Sequence, residues 1–121
     1  MTIALRSIIG RGDLAKERIT FRVEETTDVG DYAVLQCQAV EETLTTSVIK
    51  AYWFQYFKAE KGDLVVLYTK DGEMSSKALS TGKKAHFFYW GFESPIWDDD
   101  ELAAVLLRAP QWTYRLVQEL I

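Results

Sequence analysis

Apolar residues in this chain recur with a period of two, which does not fit the 3.6-residue turn of a helix. The stretch "ERITFRVE" (17–24) puts Ile19, Phe21 and Val23 on one side and Arg18, Thr20, Arg22 and Glu24 on the other. This is a strand with one face in a core and one in water, the common state of an antiparallel sheet. "DYAVLQCQA" (31–39) alternates less cleanly and predicts a strand covered on both sides. "TSVIKAYWFQYF" (46–57) is β-branched and aromatic, "DLVVLYT" (63–69) is a short apolar run, and "AHFFYW" (85–90) and "LAAVLL" (102–107) complete the main set. "TIALRSI" at the start suggests one more strand. Gly30, Gly62, Gly72, Gly82 and Gly91 fall between these runs, and Asp71-Gly72 is a turn signal. Turns at such short, regular spacing predict an all-β sandwich or barrel.

Helix has little room. "GDLAKER" (12–18) is long enough for a turn only. "QWTYRLVQELI" (111–121) has Trp112, Leu116, Val117 and Leu120 at helical spacing after Pro110, but also supports a strand through Tyr114, Leu116 and Gln118. A short C-terminal element packed on the sandwich is expected.

A chain of 121 residues predicts one domain, spanning 1–121. The formal net charge of −4 disfavours indiscriminate binding to phosphates, although it leaves room for a local basic patch. Cys37 is the only cysteine and His86 the only histidine, so neither an internal disulfide nor a structural zinc site of four Cys/His ligands can form. No apolar run approaches a membrane span, and the first residues lack a basic segment and a cleavage site. A cytoplasmic location without membrane partners is the expectation.

The segment "AYWFQYFKAEKGDLVVLYTKDG" (51–72) resembles the lamin tail domain family in its Tyr-x-Phe strand end, Lys-Gly-Asp turn and following apolar strand. The matching positions are Tyr52, Phe54, Lys61, Gly62, Asp63 and Leu64 to Tyr68. "FFYWG" and "ELAAVLL" resemble that family's Trp-containing segment and next strand. Gln55 departs from the family's usual proline, and the amino-terminal third matches by strand pattern only. The resemblance implies an immunoglobulin-like antiparallel β-sandwich of about seven strands. It also implies a non-catalytic interaction module, since members of the family act in binding, and some have been linked to nucleic acid or chromatin.

Candidate sites are few. Cys37 lies inside an apolar strand and His86 is expected at an edge, so a Cys/His nucleophile is not supported. "WDDDEL" (97–102) has oxygen ligands but neither the alternation nor the glycine of a calcium loop, so no metal or other cofactor is expected. "RGD" at Arg11 to Asp13 matches an integrin-recognition tripeptide, a frequent chance occurrence. "GEMSSKALSTGKK" (72–84) is expected to be a long mobile loop.

Two binding surfaces compete. Residues 50–84 carry seven lysines against four acids, among aromatic residues. Lys58, Lys61, Lys77, Lys83 and Lys84 are the candidates for a nucleic-acid edge. The other surface is "GFESPIWDDDE" (91–101), where Phe92, Ile96 and Trp97 sit on an irregular loop beside Asp98, Asp99 and Asp100. Large apolar residues in an acidic rim fit an anchor for a protein partner, the leading expectation. The alternative for Trp97 is that it folds back over the end of the sandwich.

Overall fold

The computed structural model describes all 121 residues. The chain is mostly β. Its strands are β1 (Ile3–Ile9), β2 (Arg18–Val23), β3 (Thr27–Asp28), β4 (Tyr32–Val40), β5 (Thr43–Trp53), β6 (Lys58–Ala59), β7 (Leu64–Tyr68), β8 (Ser75–Ala78), β9 (Lys84–Tyr89) and β10 (Leu102–Arg108). One helical turn, α1 (Val117–Leu120), ends the chain. The strands form a five-stranded sheet β1-β2-β7-β9-β8, a three-stranded sheet β10-β4-β5 and a two-stranded ribbon β3-β6.

Alternation in β2 is as the sequence implies: Ile19, Phe21 and Val23 are buried, and with Val65, Leu67 and Phe88 they form the inner face of the larger sheet. Tyr32 and Val34 of β4 belong to the same cluster, so the two larger sheets share one core. Phe54, just past the end of β5, meets Phe21, Tyr52 and Phe88 edge-to-face at centroid distances of 5.8, 5.2 and 5.0 Å. That geometry sets the positive ring edge against the negative ring face and adds to the area buried.

Several expectations need correction. The pairing is not wholly antiparallel, because β7 and β9 run parallel in register Val65↔His86 and Leu67↔Phe88. Hydrophobic alternation carries no information on strand direction. There are ten strands, not about seven. Two are two-residue pairings, and β8 lies in the segment expected to be a mobile loop, where it pairs antiparallel with β9. The run 46–57 leaves the strand after Trp53. His86 is buried rather than at an edge, because Asp63 offers its ring a partner inside the protein. In β10, Ala104 and Leu106 pack on the core and Leu107 is exposed, so Val105 and Leu107 face outward. A continuous apolar run fixes no parity. The C-terminal element is one helical turn with every residue exposed, and it does not pack on the core.

Candidate functional site

The outer face of the five-stranded sheet has an unusual composition. The strand registers place Arg18, Tyr68 and Tyr89 in one row, Thr20, Val66 and Phe87 in the next, and Arg22, Leu64 and Ala85 in the third. Lys77 of β8 extends the third row opposite Ala85. Arg6 lies at the irregularity between Leu5 and Ser7, where the register of β1 shifts. No carboxylate occupies an outward strand position in these rows.

Tyr68 and Tyr89 are stacked, 5.3 Å apart and 9° from parallel, and Phe87 lies 6.2 Å from Tyr68. The guanidinium of Arg18 and the ammonium of Lys70 approach the Tyr68 ring at 5.7 and 4.8 Å. Cations are drawn to the negative face of the ring, so the aromatic floor and the basic rim hold one another in place. Two adjoining grooves cross this face. One of about 320 Å³ is lined by Arg6, Arg18, Val66, Tyr68, Lys77 and Phe87 among others. The second, of about 440 Å³, shares Arg6, Leu64 and Leu79 with it and adds Arg22, Asp63 and Lys83.

None of Arg6, Arg18, Arg22, Lys70, Lys77 and Lys83 is in an ion pair. The single acid of the grooves, Asp63, has its carboxylate buried and engaged by neighbouring donors. It accepts hydrogen bonds from His86 Nε2 at 2.8 Å and from the N–H groups of Glu60 and Lys84 at 3.0 and 3.1 Å. Burial pushes its pKa up, but these bonds, the one from His86 foremost, outweigh that and hold it below the usual carboxylate range. Five cations, Arg6, Arg18, Arg22, Lys77 and Lys83, against this one carboxylate leave the grooves positive, on a molecule whose net charge is negative. Gly62, at φ +91°, lets the aliphatic part of Lys83 lie against the backbone; a Cβ there would come within 3.0 Å of Lys83 Cε.

Of the lysines expected to form a nucleic-acid edge, Lys77 and Lys83 line these grooves. Lys58 sits on β6, Lys61 lies 3.8 Å from Glu25, and the side chain of Lys84 has the parity opposite to the outward Ala85. Sequence reasoning missed the arginines as part of this surface. The signal was present in the polar side of "ERITFRVE", but linking it to residues 77–83 needs the strand order.

The loop 91–101 is built differently from an exposed anchor. Trp97 is 3% exposed and belongs to the core cluster, so it folds back over the core. The buried carboxylate of Glu17 accepts N–H bonds from Ile96 and Trp97 at 2.8 and 3.4 Å, a bond from Gly12 N–H at 3.0 Å and one from the Thr69 hydroxyl at 2.7 Å. Arg11 Nε donates to the Trp97 carbonyl at 2.9 Å, and Gln36 donates to the Ile96 carbonyl. The "RGD" tripeptide is thus engaged internally, through Arg11 and Gly12. Ile96 and Phe92 are half-buried, with Lys50 5.1 Å from the Phe92 ring, while Asp98, Asp99 and Asp100 are exposed. Asp100 pairs with Arg11 at 3.0 Å. The apolar centre of the expected protein anchor is inside the protein.

His86 also meets Ser76, whose hydroxyl lies 2.7 Å from Nδ1, so Ser76, His86 and Asp63 form a hydrogen-bonded chain. Ser76 is exposed on the edge strand, but His86 is buried with the Phe57 ring 4.7 Å away. Nucleophilic catalysis also needs donors placed around an oxyanion and a substrate cleft. The two grooves of the basic face are lined by neither Ser76 nor His86.

Compared with protein-family models, with curated proteins and with solved structures, the chain matches none. No helix is long and apolar enough to cross a membrane.

Proposed function

We propose that this protein is a binding module for single-stranded nucleic acid, which lies across the outer face of the five-stranded sheet. The observation that carries this is the conjunction of an aromatic floor (Tyr68, Phe87, Tyr89) with unpaired cations on a face lacking outward carboxylates. Bases have π-faces that stack on aromatic rings, and phosphates follow a row of Arg and Lys. Arginine suits the phosphate role because its planar fork presents paired donors. A duplex hides the base faces, so a single strand uses both halves of the surface.

The earlier expectation of a protein partner at 91–101 is weaker, because Trp97 is not available as its anchor. What remains for it is half-buried Phe92 and Ile96 with the exposed acids Asp98, Asp99 and Asp100. The immunoglobulin-like reading and the lamin tail resemblance belong to the same proposal as binding function. Two sheets sharing one core and the strand end at Tyr52 and Phe54 support them, and the parallel β7–β9 pair weighs against.

The test is fluorescence anisotropy with a labelled oligothymidine and the matching duplex at several salt concentrations. Preference for the single strand, lost in the Arg18→Glu/Arg22→Glu variant, is the expected result. Equal binding of strand and duplex, or binding unaffected by that double change, overturns the proposal.

A further inference from the structure

The three-stranded sheet has a second outer face, on the side of the molecule opposite the basic grooves. Registers Ala33↔Trp53, Leu35↔Ala51, Leu35↔Val105 and Cys37↔Ala103 put Leu35, Ala51, Trp53, Ala103, Val105 and Leu107 on it. None of these side chains carries a charge, and only the Trp53 indole has a hydrogen-bonding group, which is already bonded to the Gly30 carbonyl at 2.7 Å. Trp53 and Leu107 are 52% and 44% exposed. Both outer strands of this sheet, β5 and β10, have a free edge.

The same chain carries a second apolar element without a place on its own body. From Trp112 to the end, Trp112, Tyr114, Leu116, Val117, Leu120 and Ile121 are all at least half exposed. The segment touches its own domain through Trp112, whose ring lies 5.0 Å from Trp53 and whose indole N–H donates to Tyr56 Oη at 2.9 Å. Beyond that contact lies one turn of helix. A single turn is far too short to be stable in water by itself, because nucleation is unfavourable. Its apolar residues need a surface.

We infer that the surface is the corresponding sheet of a second copy of this chain, in a two-fold dimer. Each C-terminal segment (residues 113–121) starts beside Trp53 of its own protomer and crosses onto the three-stranded sheet of its partner. Size decides that both elements take part. Three strands of about seven residues, about 4.8 Å apart and rising about 3.3 Å per residue, offer roughly 300 Å². A specific interface needs roughly 800 Å² per partner. The face alone falls short, and the tail supplies the rest. Five extended residues and one helical turn reach roughly 20 Å, enough to cross a three-stranded sheet. Charge selects the occupant. A face without outward charge offers nothing to pair with a charged foreign surface, yet it matches the apolar side chains of the tail, and under two-fold symmetry each tail meets the partner's face while its own face receives the partner's tail. Arg115 and Glu119, paired at 2.7 Å, stay at the polar rim. This inference is independent of the nucleic-acid proposal, since the two faces lie on opposite sides of the shared core.

Sedimentation velocity of the full chain over about 1–100 μM tests it, with circular dichroism as the control for folding. A dimer is the expected species, and Leu107→Asp, on an outward position, should raise its dissociation constant at least about thirtyfold. Because an outward change can still perturb a strand, Trp112→Ala and removal of residues 113–121 repeat the measurement outside every strand. Each should give a folded monomer. A wild-type chain that is monomeric at 100 μM overturns the inference. So does a dimer that survives the tail deletion and Trp112→Ala undiminished.

Discussion

Glu17 Oε1 accepts the backbone N–H of Ile96 at 2.8 Å, across 79 positions of sequence, and so ties the turn before β2 to the loop before β10. Burial pushes the pKa of Glu17 up, but the bonds from Ile96, Gly12, Thr69 and Trp97 outweigh burial and hold it below the ordinary value. A carboxylate depressed in the folded state stabilises fully above the usual carboxylate range. That stability is lost as pH falls through the depressed folded value. Asp63 is shifted in the same direction and adds to the effect.

Glu17→Gln should therefore destabilise the protein at neutral pH by about 1.5–3 kcal/mol, the range for hydrogen bonds to a charged group. It should also flatten the decline in stability below about pH 4. Chemical denaturation at pH 7 and pH 3 measures both. An unchanged difference between the two pH values would show that Glu17 is not the titrating group.

Trp97 offers a sharper contrast. Its indole Nε1 is buried without an acceptor, a penalty of about 1–3 kcal/mol for that group. Trp97→Phe removes the unpaired N–H while keeping an aromatic ring, so its loss of packing is partly offset and the change should stay within about 1.5 kcal/mol. Trp97→Ala leaves a cavity and should cost about 3–5 kcal/mol. Thermal midpoints of the two variants check the order. Equal midpoints would mean that the ring is not packed in the core.

The turn between β4 and β5 is strained by its residue types. Glu41 and Glu42 adopt φ of 50° and 65°, the left-handed region at both central positions of a two-residue hairpin. A side chain in that region costs about 1–2 kcal/mol relative to glycine. Glu42→Gly should therefore stabilise the protein by about 0.5–1 kcal/mol, after the greater chain entropy of glycine in the unfolded state is subtracted. A rise of a few degrees in the thermal midpoint is the expected readout, and a fall would place the turn in another conformation.

How much of this was legible beforehand follows from what each pattern encodes. Ile19, Phe21 and Val23 alternate with charged and polar residues, so their burial is written in the sequence. Ala103 to Leu107 are apolar on both parities, so which of them face inward depends on packing against β4 and is not written in the sequence. The sequence left Trp97 open between a loop anchor and a lid folded over the core, because the acceptor that pins its backbone, Glu17, is 80 residues away. The basic face was half visible. Arg18 and Arg22 stand on a polar strand face in the sequence, and Lys77 and Lys83 in a lysine-rich region. Only the order β2-β7-β9-β8 brings them to one surface.

Salt dependence separates the two halves of that surface. Each phosphate neutralised on a single strand contributes about −0.7 to the slope of log K against log salt. Five cations, Arg6, Arg18, Arg22, Lys77 and Lys83, line the grooves. If all are engaged, the slope is about −3.5. Arg22→Ala should reduce its magnitude by about 0.7 and weaken every sequence alike. Tyr68→Ala acts on stacking, worth about 1–3 kcal/mol per base, so it should lower affinity and leave the slope nearly unchanged. The control is Lys58→Ala, whose side chain lines neither groove and should leave both quantities alone. Anisotropy titrations between about 50 and 200 mM salt give all three slopes. A Tyr68→Ala variant with wild-type affinity beside an Arg22→Ala variant with a reduced slope would leave a basic patch that attracts phosphates, with no base stacked on the sheet.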